Sequence, residues 1–301
     1  MTWSPPPYAD PATFTEHDLS LDGAGRTVPG TLTLPKQAAR VGVVLLSGGG
    51  PFDRDGTTGP NKPLKDLAWG LATNGIAVLR FDKPTANRPE AMTEPGYTMT
   101  SEYLPYAIAA VRTLHDHVDR VVLVGHSMGG KVAPKIAAEE PLVAGLVIMA
   151  GDTQPMQHSA VGVIRYLADT TPEAVPAGTL ELFERQAAVI DSGLSANTPS
   201  SELPFGLPAS FWLDQRTYDP VATAAKLDVP ILVLQGGRDY QVTVADDLPA
   251  WRAGLPDATI TVLDADNHYF FPGTEPSTTA DYQVPGHVDP AVVTTILDWL
   301  P

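Results

Sequence analysis

The sequence predicts an α/β fold built on a mostly parallel eight-stranded sheet with helices on both faces. Three observations predict it. Short, continuously apolar runs such as Val41-Gly42-Val43-Val44-Leu45-Leu46 and Val121-Val122-Leu123-Val124 read as strands buried on both faces, the mark of parallel sheets. These runs alternate with segments of helical periodicity, which is the pattern of βα units. With 301 residues, 43% of them hydrophobic, the chain can bury one large core.

Taken in order, residues 1–12 are rich in proline and read as an extended arm. Residues 14–21 alternate, as an edge strand does, and a turn at 22–25 leads to a second strand over 28–34, which closes a hairpin. The buried strand 41–46 runs into Ser47-Gly48-Gly49-Gly50-Pro51 and a polar loop over 52–61. A helix follows over 63–74, with Leu64, Leu67, Ala68 and Leu71 on one face and Gly75 as its stop. Residues 76–81 form the next strand, 83–97 a long surface loop, and 101–116 a helix. The run 121–124 is a strand that feeds a helix-compatible segment over 131–138, and 144–150 is again a strand.

The alternation then stops. From Asp152 to Asp228 no strand is expected; two helical stretches, 161–168 and 179–192, precede a Pro/Ser-rich loop and the aromatic run Phe205, Phe211, Trp212, Tyr218. This segment, about 152–228, reads as a helical cap inserted into a single domain spanning 1–301. A strand over 230–235, a helix over 243–253, a strand over 259–263, a loop over 272–287 and a helix over 290–300 complete the chain.

The strand at 121–124 ends in Gly125-His126-Ser127-Met128-Gly129-Gly130. A serine between two glycines at a sharp strand-to-helix turn is held in strained geometry, with its hydroxyl exposed above the sheet. Serine is a weak nucleophile unless a base takes its proton, and that base needs an orienting acid. The partners are expected at the carboxyl ends of later strands. Asp239, in Gln235-Gly236-Gly237-Arg238-Asp239, meets this requirement, and so does His268 after strand 259–263. Asp152 is the rival acid, at the end of strand 144–150. Asp264 and Asp266 lie too close to His268 along the chain to hold its ring from the far side.

Among the other histidines, His126 is expected to point away from the Ser127 hydroxyl and to pack. His287 is expected to make a structural hydrogen bond, and His17, His115, His117 and His158 to lie at the surface. A tetrahedral intermediate needs two donors for its oxyanion. The Met128 N–H is one, and the glycine loop after strand 41–46 offers Gly49 N–H, with Gly50 the alternative. Asp53, Arg54 and Lys62 read as a salt-bridged scaffold for that loop. Phe205, Phe211 and Trp212 are candidate substrate-binding residues from the cap, although Phe211 and Trp212 cannot both point inward. Tyr240 and Tyr269, which follow the acid and the base, are the other aromatic candidates.

Bulk properties remove several classes. The net charge of −16 opposes a nucleic-acid groove or an anionic membrane surface. With no cysteine, disulfides, thiolate metal sites and cysteine nucleophiles are excluded. The N-terminus carries neither a basic nor an apolar leader region, and no apolar run reaches the length of a membrane span. A cytoplasmic protein without nucleic-acid or membrane partners is expected.

Further motifs carry a resemblance. They are Ser47-Gly48-Gly49-Gly50-Pro51-Phe52-Asp53-Arg54-Asp55-Gly56, Gly59-Pro60-Asn61-Lys62-Pro63-Leu64-Lys65-Asp66-Leu67-Ala68 and Arg80-Phe81-Asp82-Lys83. The second half adds Tyr218-Asp219-Pro220-Val221-Ala222, Leu234-Gln235-Gly236-Gly237-Arg238-Asp239-Tyr240-Gln241-Val242 and Val284-Pro285-Gly286-His287-Val288. With the serine motif these span about residues 14–300. The chain resembles the α/β-hydrolase carboxylesterases, and within them the EstD-type branch of bacterial esterases. The resemblance implies an α/β-hydrolase fold and hydrolysis of short- to medium-chain acyl esters by a serine triad, with no cofactor and no metal. The chain departs from the pattern at Gly49, which leaves a backbone donor intact, and at Lys83-Pro84-Thr85-Ala86, where an arginine or glycine would follow the lysine. The same acyl-enzyme could instead serve thioester, lactone or peptide cleavage, or acyl transfer or cyclisation. The scaffold could also serve a non-catalytic binding protein.

Overall fold

The computed structural model describes residues 3–300. Eight strands form one sheet: β1 (Phe14–Gly23), β2 (Arg26–Pro35), β3 (Val41–Leu46), β4 (Ala77–Phe81), β5 (Arg120–His126), β6 (Val143–Met149), β7 (Ile231–Gly236) and β8 (Thr259–Leu263). Their order across the sheet is β1-β2-β4-β3-β5-β6-β7-β8. β1 and β2 pair antiparallel through the two-residue turn Ala24-Gly25, and β2 pairs antiparallel with β4. From β4 to β8 every pairing is parallel. The expected α/β architecture is the one observed.

Because successive side chains on a strand face opposite ways, the apolar strands feed two cores. Val44, Leu46, Leu79, Leu123 and Ile148 pack with α2 (Met99–His115) and α3 (Met128–Glu139). Val43, Leu45, Val78, Val122 and Val147 pack on the other face with α1 (Pro63–Thr73) and α9 (Pro290–Trp299). This two-sided burial is why these strands read as unbroken apolar runs.

Between β6 and β7 the described chain holds no strand. It forms α4 (Met156–Thr170), α5 (Thr179–Ser192), α6 (Ala209–Arg216) and α7 (Pro220–Ala224), and α8 (Leu248–Gly254) follows β7. Several boundaries differ from the sequence expectation. α3 starts at Met128 rather than 131, because the turn is completed within Ser127 itself. α8 starts five residues later than 243, because the Asp247 side chain binds the Thr243 N–H and holds that segment as a separate turn. Part of the aromatic run, to which no secondary structure is assigned from sequence, is α6. The stretch after β4 is not all surface, since Lys83 and Thr85 are each 2% exposed. The N-terminal arm, as far as it is described, is tied to the body: Trp3 Nε1 donates to Asp66 Oδ1 at 2.7 Å and the Tyr8 hydroxyl to the Val288 carbonyl at 2.8 Å.

Candidate active site

Ser127 joins β5 to α3 with φ 54° and ψ −123°, a left-handed conformation that costs a non-glycine residue of order 1–3 kcal/mol. The neighbouring glycines permit it. A β-carbon at Gly125 would stand 2.2 Å from the Gly129 carbonyl oxygen, and one at Gly129 would stand 2.5 Å from the Leu46 carbonyl oxygen. The strain is held by hydrogen bonds on both sides: Ser127 N–H donates to the Met149 carbonyl at 2.8 Å, and Lys131 N–H to the Ser127 carbonyl at 2.9 Å.

Asp239 follows β7, and its carboxylate is oriented from two sides. Oδ1 accepts from the N–H groups of Gln241 at 2.8 Å and Val242 at 3.1 Å, and Oδ2 lies 2.8 Å from His268 Nδ1. With Oδ2 accepting, the ring hydrogen sits on Nδ1 and Nε2 is left with a free lone pair. His268 is 3% exposed. Its ring and Ser127 line the same cavity of about 380 Å³. The rival acid is engaged elsewhere, because the Lys131 ammonium binds Asp152 Oδ2 and also donates to the Gln154 carbonyl.

His126 packs, as expected, but it also has a structural task. Its Nε2 lies 2.7 Å from the His268 carbonyl oxygen, so Nε2 must be the donor. Burial, and then the adjacent His268 ring, push its pKa down to about 3, which keeps it neutral. His287 makes the structural bond expected of it, Nδ1 to Asp66 Oδ2 at 3.0 Å. Arg54 pairs with Asp82 at 2.9 Å and Lys62 with Asp55 at 2.7 Å, while Asp53 accepts from the Thr57 N–H and hydroxyl. That network braces the loop between β3 and α1.

The glycine loop after β3 crosses over the serine. A β-carbon at Gly48 would be 3.2 Å from Ser127 Cβ, and one at Gly49 would be 3.1 Å from the Met128 methyl carbon. Gly49 and Met128 therefore flank Ser127, at the first turn of α3.

Of the aromatic candidates, Phe205, Phe211 and Tyr269 line the cavity with Ser127. Two do not. Trp212 is 1% exposed and packs edge-on against Phe211, with ring centroids 5.4 Å apart. Successive residues on a helix project about 100° apart, so only one of this pair can reach the cavity. Tyr240 stacks on Tyr166 at 4.9 Å and lines a neighbouring cavity of about 650 Å³. Sequence reasoning missed Met92, Tyr97 and Met156, which also line the serine cavity. No motif marks them, because segments remote in sequence deliver them.

Comparison with known proteins gives a consistent neighbourhood. A family model described as the alpha/beta hydrolase family matches residues 43–282. Esterase EstD of Thermotoga maritima is 35% identical over 98% of this chain and 69% of its own length. Among solved structures, Est1E from Butyrivibrio proteoclasticus aligns with a TM-score of 0.60 at 16% identity, covering 93% of this chain and 98% of that one. An esterase from Pyrococcus furiosus aligns with a TM-score of 0.55 at 16% identity, covering 89% of each.

Proposed function

The chain belongs to the alpha/beta hydrolase family, and from that premise we propose that this hydrolase is a serine carboxylesterase acting on small to medium acyl esters. One observation carries the reading. His268, whose Nδ1 lies 2.8 Å from Asp239 Oδ2, stands in the wall of the cavity that exposes the strained Ser127. The name of its relative EstD supports the same reaction class.

In this reading Ser127 Oγ attacks the ester carbonyl carbon while its proton passes to His268 Nε2. Asp239 holds the ring and stabilises the imidazolium. The carbonyl oxygen becomes an oxyanion that accepts from the Met128 and Gly49 N–H groups. Collapse breaks the bond to the alkoxy oxygen, which takes the proton from His268 and leaves as the alcohol. Water, deprotonated by the same Nε2, then attacks the acyl-serine, and the carboxylic acid departs with Ser127 reprotonated. A cavity of about 380 Å³ falls at the small end of ligand sites, which suits short and medium acyl groups. Phe205, Phe211 and Tyr269 supply its apolar walls.

The test is labelling with a fluorophosphonate, followed by turnover of a p-nitrophenyl ester series from acetate to decanoate. The wild-type protein is expected to label and to prefer the short or medium esters. Ser127→Ala is expected to do neither while keeping its circular dichroism spectrum. Undiminished hydrolysis by Ser127→Ala would sink the serine mechanism.

A further inference from the structure

The glycine loop carries an arrangement that the triad does not explain. Lys83, just after β4, is 2% exposed, and its ammonium lies 2.8 Å from the Gly48 carbonyl oxygen and 3.0 Å from the Tyr103 hydroxyl. Tyr103, on α2, is 1% exposed, and its hydroxyl lies 2.8 Å from the Ser47 carbonyl oxygen and 2.7 Å from that of Gly48. A phenol has one hydrogen to give and an ammonium has three. The assignment that satisfies every group has Lys83 donating to Gly48 O and to the Tyr103 oxygen, and Tyr103 donating to Ser47 O. The nearest carboxylate, on Glu102, stands 3.9 Å away and accepts from the Thr85 hydroxyl. Burial lowers the Lys83 pKa to about 8, with Glu102 opposing the shift. At neutral pH the ammonium is therefore still the major form.

Burying an ammonium in the body of a domain is costly. Here it is spent on the backbone of one loop rather than on a full ion pair. The geometry of the peptide unit gives that expenditure a purpose. In a planar trans peptide the C=O and the following N–H point in opposite directions, and the described chain has no cis peptide. The carbonyl of the Gly48–Gly49 unit is held by Lys83, so the Gly49 N–H must point the other way. Gly48 and Gly49 lie against Ser127 and Met128, the side on which an oxyanion would form.

We propose that Lys83 and Tyr103 are positioning residues: by pinning the Ser47 and Gly48 carbonyls they aim the Gly49 N–H at the oxyanion and polarise it. The inference rests on the serine-esterase reading above and names how its second oxyanion donor is held. Glycines at 48–50 would otherwise leave the loop free to turn its amides away, since glycine has the largest range of backbone conformations. A charge-assisted hydrogen bond to one end of an amide strengthens the bond donated from the other end. The contribution is made in the transition state, when the carbonyl oxygen acquires charge, rather than in substrate binding.

Two variants test it. Lys83→Met keeps the unbranched apolar stem and removes the ammonium; Tyr103→Phe keeps the ring and removes one oxygen. Each is assayed with p-nitrophenyl butyrate, with kcat expressed per phosphonate-titrated site, and with a trifluoromethyl ketone that adds reversibly to the serine. Loss of an oxyanion donor costs about 10²–10³ in kcat. Lys83→Met is expected to lose about 10²-fold in kcat and Tyr103→Phe about tenfold, with KM changed less than about twofold. Ketone affinity should fall in parallel with kcat/KM. A merely structural role would lower the fraction of titratable sites and leave kcat per site intact, and that result would overturn the proposal. So would ketone affinity that stays at the wild-type value in both variants. Should Lys83→Met not fold, Tyr103→Phe decides by the same readouts. Failure of the underlying reading looks different, because Ser127→Ala would then still hydrolyse the ester.

Discussion

Asp239 and Asp152 stand at the carboxyl ends of neighbouring strands, and it is their partners that separate them. Asp239 holds His268, whereas Asp152 neutralises the buried Lys131. Asp239→Asn is expected to lower kcat by about 10⁴ with little change in fold. Asp152→Asn should act mainly on stability, by about 3 kcal/mol, because it strands a buried ammonium. Rate assays and denaturant titrations of the two variants check this, and the reverse ranking would count against the assignment. Two other groups near His268 contribute to the pH dependence of stability in opposite directions. His126 has a folded pKa of about 3 against 6.5. As pH falls from about 6.5 toward 3, the unfolded chain gains a proton that the folded chain refuses, and stability drops by up to about 1.4 kcal/mol per pH unit. Asp266 is pushed from 3.8 up to about 7 by burial and by Asp289. Its contribution is present below pH 3.8 and is lost as pH rises through 7. Asp266→Asn should therefore make stability climb more steeply between pH 4 and 7, and His126→Gln should flatten it. Denaturant midpoints at half-unit pH steps read both slopes; slopes equal to wild type in both variants would refute the account.

At the scale of elements, α6 shows how one helix divides labour. Phe211 faces the cavity and stacks on Tyr97 at 5.6 Å, while Trp212 is buried away from it. Trp212→Ala should cost about 3–5 kcal/mol of stability and leave the acyl chain-length profile of the surviving enzyme unchanged. Phe205 is 56% exposed and reaches the same cavity. Phe205→Ala should hardly alter stability, yet should shift discrimination between adjacent chain lengths by about 1–3 kcal/mol per methylene-sized change. A thermal melt paired with the p-nitrophenyl ester series separates the two. An altered chain-length profile in Trp212→Ala, or none in Phe205→Ala, would reverse their roles.

Over the whole molecule, the net charge of −16 surrounds a cavity with apolar walls. An anionic ester must approach against that field, whereas a neutral one feels little of it. Raising ionic strength from about 0.02 to 0.2 M shortens the screening length severalfold. It should increase kcat/KM for the p-nitrophenyl half-ester of a dicarboxylic acid, which keeps one free carboxylate, and leave p-nitrophenyl butyrate nearly unchanged. Equal salt responses from the two substrates would mean that the field at the cavity mouth does not follow the net charge.

The parallel sheet was legible because strands buried on both faces need apolar residues at every position, so 41–46, 121–124 and 230–235 could hardly be read otherwise. Ser127, Asp239 and His268 were legible for a related reason. Each sits just after the carboxyl end of a strand, and for Ser127 and Asp239 short glycine-bearing turns leave local signatures. The expected pairing of the acid and the base appears as a 2.8 Å contact. The sequence alone therefore determined the sheet, the sharp turn and the candidate reacting groups. What only the tertiary structure decided is which remote segments converge on them. Lys83 lay in what read as a surface loop, Tyr103 in an ordinary amphipathic helix, and Met92 and Met156 carried no motif. Tyr240 and Trp212 were aromatic and near the right place, but face elsewhere. The physical reason is that local pattern records the period of a single element, whereas a cavity wall is set by how several elements cross, which no one segment encodes.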